Sequence, residues 1–186
     1  MTLPRNIALI APSMGCGKST VADYLNARYG YEIVPFAKPM KLMIAELLRE
    51  VYGMPPREVD WLLTEGKECA IHGIPGSPTP RRLLQTLGTE WARNCIHQDF
   101  WLQAWMEMAY RCDRVVADDC RFPNEYDLLR RAHQTQIWRI TRPSATITAA
   151  HASEGQLDDV PVDAEIVNDG TLQDLFRKVD AFMEAG

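Results

Sequence analysis

The sequence predicts an α/β fold built on a central parallel sheet, and three observations predict it. Apolar runs of strand length alternate with helix-patterned segments along most of the chain. The first run, residues 7–11, passes through a glycine-bearing loop straight into a helix. A second run, Val115, Val116 and Ala117, is apolar throughout and ends in two adjacent carboxylates, Asp118 and Asp119. Strands that are apolar on both faces suit a sheet covered on both sides.

The loop after the first strand is the strongest signal. It reads Pro12-Ser13-Met14-Gly15-Cys16-Gly17, followed by Lys18-Ser19-Thr20 at the head of the helix. Strand, glycine loop and helix with Lys-Ser at the junction form a phosphate-binding P-loop. The helix start aims unpaired backbone N–H groups at an anion. Glycines let the chain approach phosphate oxygens without an intervening Cβ. Lys18 then acts as a point charge toward the β- and γ-phosphates, and the Ser19 hydroxyl is a candidate Mg²⁺ ligand. The pattern departs from G-x-x-x-x-G-K-[ST] at one place, where Pro12 stands for the first Gly. The plain alternative is a glycine turn before an ordinary helix, with Lys18 solvated.

The chain has 186 residues, enough for a sizeable core, and no linker or repeat marks a domain boundary. Its net charge of −5 argues against a nucleic-acid polymer as partner, which needs a basic face. Binding a nucleotide monomer needs only a few local cations. The five cysteines follow no metal or disulfide spacing and point to reduced thiols in a cytosol-like compartment. No run approaches membrane-spanning length.

The elements follow in order. Strand 1 covers residues 6–11, and helix 1 covers 17–28 before Gly30 stops it. Residues 32–36 read as strand 2. Pro39 then opens a helix whose apolar face holds Leu42, Ile44, Ala45, Leu47, Leu48 and Val51. Lys38 and Lys41 stand at this strand-to-helix handover, where open α/β sheets place ligands. Residues 59–63 form one or two helical turns, and 73–78 form a loop by their breakers.

Thr79 and Pro80 start a further helix, with Leu83, Leu84, Leu87 and Trp91 as its buried stripe. Arg81 and Gln85 share another face, four residues apart, as candidates to grip an anion and a base. Gly88 on that face suggests a close approach by a backbone or a ligand. Residues 99–111 form a helix with Trp101, Trp105 and Met108 at core spacing. Trp101 is also a candidate to stack on a nucleobase.

An acid at the end of a strand beside the P-loop strand holds Mg²⁺ in P-loop folds, so Asp118 and Asp119 are candidates for that task. Arg121 follows at the strand's mouth, and Pro123 begins the next helix. Residues 136–141 form a strand ending at Arg142. Residues 143–160, with His151, Ser153 and Glu154, are where a closing lid would sit. Arg139 and Arg142 are candidates to touch a transferring phosphoryl group. Residues 164–167 form the last strand, 168–170 a turn, and Thr171 caps a helix to about Met183.

The chain resembles the bacteriophage-type deoxynucleoside monophosphate kinases, a branch of the P-loop kinases. The strings that carry the likeness are Met14–Thr20, Pro35-Phe36-Ala37-Lys38-Pro39-Met40-Lys41 and Pro80-Arg81-Arg82-Leu83-Leu84-Gln85-Thr86-Leu87-Gly88-Thr89-Glu90. Asp119-Cys120-Arg121-Phe122-Pro123-Asn124-Glu125, His151-Ala152-Ser153-Glu154 and Val167-Asn168-Asp169-Gly170-Thr171-Leu172 continue them. The resemblance implies a three-layer P-loop fold with a helical monophosphate-binding region and a lid. It implies ATP and Mg²⁺ as partners of a deoxynucleoside monophosphate. It also implies that Lys18, Ser19 and Thr20 serve the ATP phosphates and that Arg81, Asp119, Arg121 and Glu125 lie around the nucleotide, with Asp119, not Asp118, in register with the family's Asp-x-Arg. Taken together with the residue reading above, Ser13, Gly15, Cys16, Gly17, Lys18, Ser19 and Thr20 would serve ATP, and Ser19 and Asp118 the metal. Lys38, Arg81, Gln85, Trp101, Asp119, Arg121 and Glu125 would surround the acceptor. Lys18, Arg121 and Arg142 would act on the transferring group. Several relatives carry Asp where Ser19 stands. Other small-molecule P-loop kinases, of the dephospho-coenzyme A or shikimate type, and a nucleotide-binding module without transfer activity remain alternatives. A homodimer is left open, and a phage gene expressed in bacterial cytoplasm is the source the likeness suggests.

Overall fold

A computed structural model of the chain describes residues 3–13, 15–143 and 156–185. The chain divides into two compact units. One comprises residues 1–35 and 107–186, the other residues 36–106.

The first unit holds the sheet. Its strands are β1 (Asn6–Ile10), β2 (Glu32–Ile33), β3 (Val115–Ala117), β4 (Thr135–Thr141) and β5 (Ala164–Val167). They lie in the order β2-β3-β1-β4-β5, and every pairing is parallel. The predicted α/β class and parallel sheet are therefore present. Strand β2 is shorter than its expected span of residues 32–36. Pro35 has no N–H to continue the ladder, although Val34 still donates to the Val116 carbonyl at 2.9 Å.

One face of the sheet packs on helices α1 (Lys18–Tyr29) and α7 (Leu172–Ala185). Ile7, Leu9, Val116, Trp138, Ile140 and Ile166 meet Val21, Leu25, Leu175, Val179 and Met183 there. The other face, with Ala8, Ile10, Ala117 and Ile137, is equally buried. Helix α6 (Pro123–Arg131) lies against β4. Alternate residues of one strand thus point into two cores, which is why the strands read as unbroken apolar runs.

The second unit is helical. It contains α2 (Lys38–Glu46), which continues as a π-helical turn over Leu47–Val51, then α3 (Pro56–Thr64). Next comes α4 (Pro80–Gln85), continued by a π-helix over Thr86–Ile96. Helix α5 (Phe100–Ala109) begins here and ends in the first unit. Ile44, Ala45, Leu48, Val59, Leu62, Leu63 and Ile71 make its core, with Leu83, Leu84 and Leu87 packed against it.

Two expected faces are narrower than the α-helical period implies. Leu42, Leu47 and Val51 are exposed, as is Trp91. A π-helix takes more residues per turn, so a stripe drawn at 3.6-residue spacing drifts off the buried side beyond Gln85. Gly88 does mark a close approach. A Cβ there would lie 2.9 Å from the Met40 sulfur, so the neighbour is a methionine side chain rather than a backbone or a ligand. Residues 144–155, with His151, Ser153 and Glu154 of the expected lid, lie outside the described residues.

Candidate active site

Because all strands of the sheet are parallel, the loops that leave their carboxyl ends share one edge. The loop after β1 is the P-loop. Asp118 and Asp119 follow β3, Arg142 follows β4, and Asn168 follows β5. Residues far apart in sequence are brought together by this arrangement alone.

The P-loop has the left-handed backbone that its glycines permit. Gly15 has φ +76° and Gly17 has φ +107°. Pro12 does not prevent this, since neither left-handed position falls on it. Gly17 is the N-cap of α1, and no side chain caps that helix start. The side chains of Ser13 and Cys16 are buried and contact one another, Oγ to Sγ at 3.2 Å. Their contribution to a bound phosphate would come from the backbone. Asn168 Nδ2 donates to the Cys16 carbonyl at 3.0 Å, while its backbone N–H donates to the Thr141 carbonyl at 2.7 Å.

Ser19 lies on the first turn of α1, and its hydroxyl donates to Asp118 Oδ2 at 2.8 Å. Two hard oxygen donors from opposite sides of the site therefore meet. Lys18, beside them, is held below the ordinary lysine pKa. Burial is the largest cause and the Arg121 guanidinium the second. Cys16, Asp118 and Asp119 act in the opposite direction. A desolvated ammonium within reach of a guanidinium disfavours its own charged form. An anion placed between the two cations would relieve that cost.

Glu125 holds the turn that carries Arg121. It is 5% exposed, and its Oε2 accepts from the Arg121 N–H at 2.9 Å and the Phe122 N–H at 3.1 Å. Both N–H groups lie at the entry to α6, where a side-chain acceptor caps the helix. Glu125 thus anchors the backbone under Arg121. The spacing Pro123 at the first helical position and Glu at the third is a readable capping signal.

Other expected residues fall as follows. Arg139 is bound to Leu157 O, Val160 O and Glu165, so its guanidinium ties down the segment before β5. That corrects its expected part beside a transferring group. Arg142 is exposed at the sheet edge. In the helical unit, Lys38 opens α2 and is half-buried, as are Arg81 and Gln85. Arg81 Nε pairs with Glu68 Oε1. Trp101 is 5% exposed, donates to the Leu87 carbonyl at 3.2 Å and stands edge-on to Phe100. It is a core residue at helix-core spacing, and the stacking expectation finds no open ring face. Sequence reasoning treated Asn168 as a turn residue and missed its side-chain contact with the P-loop. The signals were its place directly after a strand of the same sheet and its position in the family string Val167–Leu172.

Strand order, glycine loop and the acid on the neighbouring strand together define a P-loop kinase-type fold. A family model for deoxynucleotide monophosphate kinase matches residues 57–179. The chain belongs to that family.

A putative deoxynucleotide monophosphate kinase of Acanthamoeba polyphaga mimivirus is 29% identical, over 89% of each chain. The deoxynucleoside-5′-monophosphate kinase of Escherichia phage T5 is 31% identical over 58% of this chain and 45% of its own. The deoxynucleotide monophosphate kinase of Enterobacteria phage T4 is 29% identical over 59% of this chain and 47% of its own. The chain thus spans under half the length of these two phage relatives. A sugar kinase of known structure from a Janibacter species aligns over 97% of this chain at TM-score 0.48 and 14% identity. The fold assignment rests on strand order and not on that alignment. No helix among the described residues is long and apolar enough to cross a membrane.

Proposed function

We propose that this chain transfers the γ-phosphoryl group of ATP to a deoxynucleoside 5′-monophosphate, giving ADP and the diphosphate. The observation that carries the reading is the meeting of Ser19 and Asp118 beside Lys18 at the open end of the P-loop. The names of the relatives supply the acceptor class.

Both substrates are polyanions, so the barrier is one of positioning and charge. The backbone of Ser13 and of residues 15–20 holds the triphosphate, and Lys18 lies along the β- and γ-phosphates. Mg²⁺, when bound, neutralises charge on the ATP phosphates. Ser19 and Asp118 fit it, because this ion takes few protein oxygens and completes its shell with phosphate and water. Arg121 stabilises the transferring group, on a turn fixed by Glu125, and Arg142 contributes from the sheet edge. Asp119, Lys38, Arg81 and Gln85 serve the acceptor. Arg81 exchanges its surface partner Glu68 for a phosphate, an ion pair that costs little to break.

The test is a coupled ADP-release assay with Mg²⁺ across the four deoxynucleoside monophosphates, their ribose counterparts, dephospho-coenzyme A and shikimate. Turnover stimulated by deoxynucleoside monophosphates is expected. Stimulation by a non-nucleotide acceptor alone would reassign the substrate.

A further inference from the structure

We propose that Asn168 is a positioning residue of the phosphate cradle, fixing the peptide between Cys16 and Gly17 in the orientation that phosphate binding requires. The proposal rests on the nucleotide reading above.

Three observations carry it. The Asn168 carboxamide donates to the Cys16 carbonyl at 3.0 Å. The same nitrogen lies 2.7 Å from where a Cβ of Gly17 would stand, so the carboxamide is seated directly on the loop. The backbone of Asn168 is independently fixed, with its N–H on the Thr141 carbonyl at the end of β4. The corner behind it is also tied, because Lys178 reaches both the Val167 carbonyl and Asp169 at 2.6 Å. Asn168 is therefore a rigid post standing on the sheet, and its tip holds the P-loop.

What this does follows from peptide geometry. In a planar trans peptide the C=O and N–H point in opposite directions. Pinning the Cys16 carbonyl toward Asn168 turns the Gly17 N–H to the other side of the loop, away from the β5–α7 corner. Gly17, at φ +107°, is a residue whose backbone rotates freely when nothing restrains it. The α1 start has no side-chain cap to do so. Without the carboxamide, the peptide is free to flip and present a carbonyl where an amide is needed. A carbonyl there would repel phosphate.

Two variants test this: Asn168→Ala, which removes the carboxamide, and Asn168→Asp, which keeps its shape but opposes the carbonyl with an acceptor. Both retain the backbone bond to Thr141. In the ligand-free protein, amide dipolar couplings should show the Gly17 N–H reoriented or exchanging in both variants, with the β1 couplings unchanged. An unchanged Gly17 coupling in both overturns the proposal. In the second arm, ADP is titrated, and in turnover assays the ATP KM is compared with the acceptor KM. ADP affinity should fall on the order of tenfold in the variants and the ATP KM should rise, while the acceptor KM holds. Variants that bind ADP like the parent chain overturn the proposal too. A parent chain that leaves the Gly15, Gly17 and Lys18 amides unmoved by ADP removes the nucleotide reading instead, and the ligand-free arm still decides on the post.

Discussion

The Ser19 hydroxyl donates to Asp118 Oδ2 at 2.8 Å, although 99 positions separate them in the chain. The contact exists because β1 and β3 are parallel neighbours, with Ala8 opposite Ala117, so the residues that follow each strand leave the same edge. An oxygen pair of this kind is where a metal carried by ATP would be received. Asp118→Asn keeps an acceptor for Ser19 and removes only the charge. It should lower turnover by about 10²-fold or more with little change in melting temperature. Initial rates over a Mg²⁺ titration check this, and a variant as active as the parent would take the metal role away from Asp118.

Lys18 faces Arg121 at a cost to the fold. Lys18→Met removes a desolvated cation from beside a guanidinium and keeps most of the side-chain volume. Turnover should fall on the order of 10³-fold or more while the melting temperature stays level or rises. Paired calorimetry and kinetics decide it. A large loss of thermal stability would mean that the ammonium is a structural partner instead.

Glu125 is the next test, because its work is done through the backbone. Glu125→Ala removes the acceptor of two N–H groups and should cost about 1–3 kcal/mol of stability. It should also reduce turnover by loosening Arg121, whereas Glu125→Gln, which keeps an acceptor, should lose less of both. Denaturant unfolding and turnover of the pair are the measurements. Equal loss in the two variants would give the charge itself a direct part in the reaction.

Alkaline pH probes the clasp between α1 and α7. Tyr24 and Tyr29 both donate to Asp180, and Tyr24 stacks on Phe176 with centroids 4.0 Å apart. Burial first, and the bond to Asp180 second, push Tyr29 up to about 12, and burial pushes Tyr31 to about 12. A raised folded-state pKa adds stability that is fully present below about pH 10 and lost as pH rises through about 12. Urea unfolding between pH 8 and pH 12 should show that decline, and Tyr29→Phe should flatten it. An identical slope in the variant would exclude Tyr29 as a source.

Much of this was legible in the sequence for physical reasons. The P-loop is a local device: Gly15, Gly17, Lys18 and Ser19 are adjacent, so their string shows it. The parallel sheet showed in its unbroken apolar strands, which only a doubly covered sheet allows. What resisted reading was non-local or irregular. Trp91 was expected inside because nothing in the sequence announces that the helix beyond Gln85 widens to π geometry. Trp101 and Trp105 share a stripe at core spacing, and it is their burial that decides for the core. Arg139 looks like any strand-end arginine until Leu157 and Val160 turn their carbonyls to it. Asn168 gives no sign of its target because Cys16 is remote in sequence and near only in the folded sheet.

The central claim is direct transfer of one phosphoryl group between two nucleotides. ATP labelled at its γ-phosphorus, mixed with Mg²⁺, this protein and a single deoxynucleoside monophosphate, tests it in one turnover. The account predicts label in the deoxynucleoside diphosphate and little in inorganic phosphate. Label that stays in ATP, or appears only as inorganic phosphate with every deoxynucleotide tried, would contradict it.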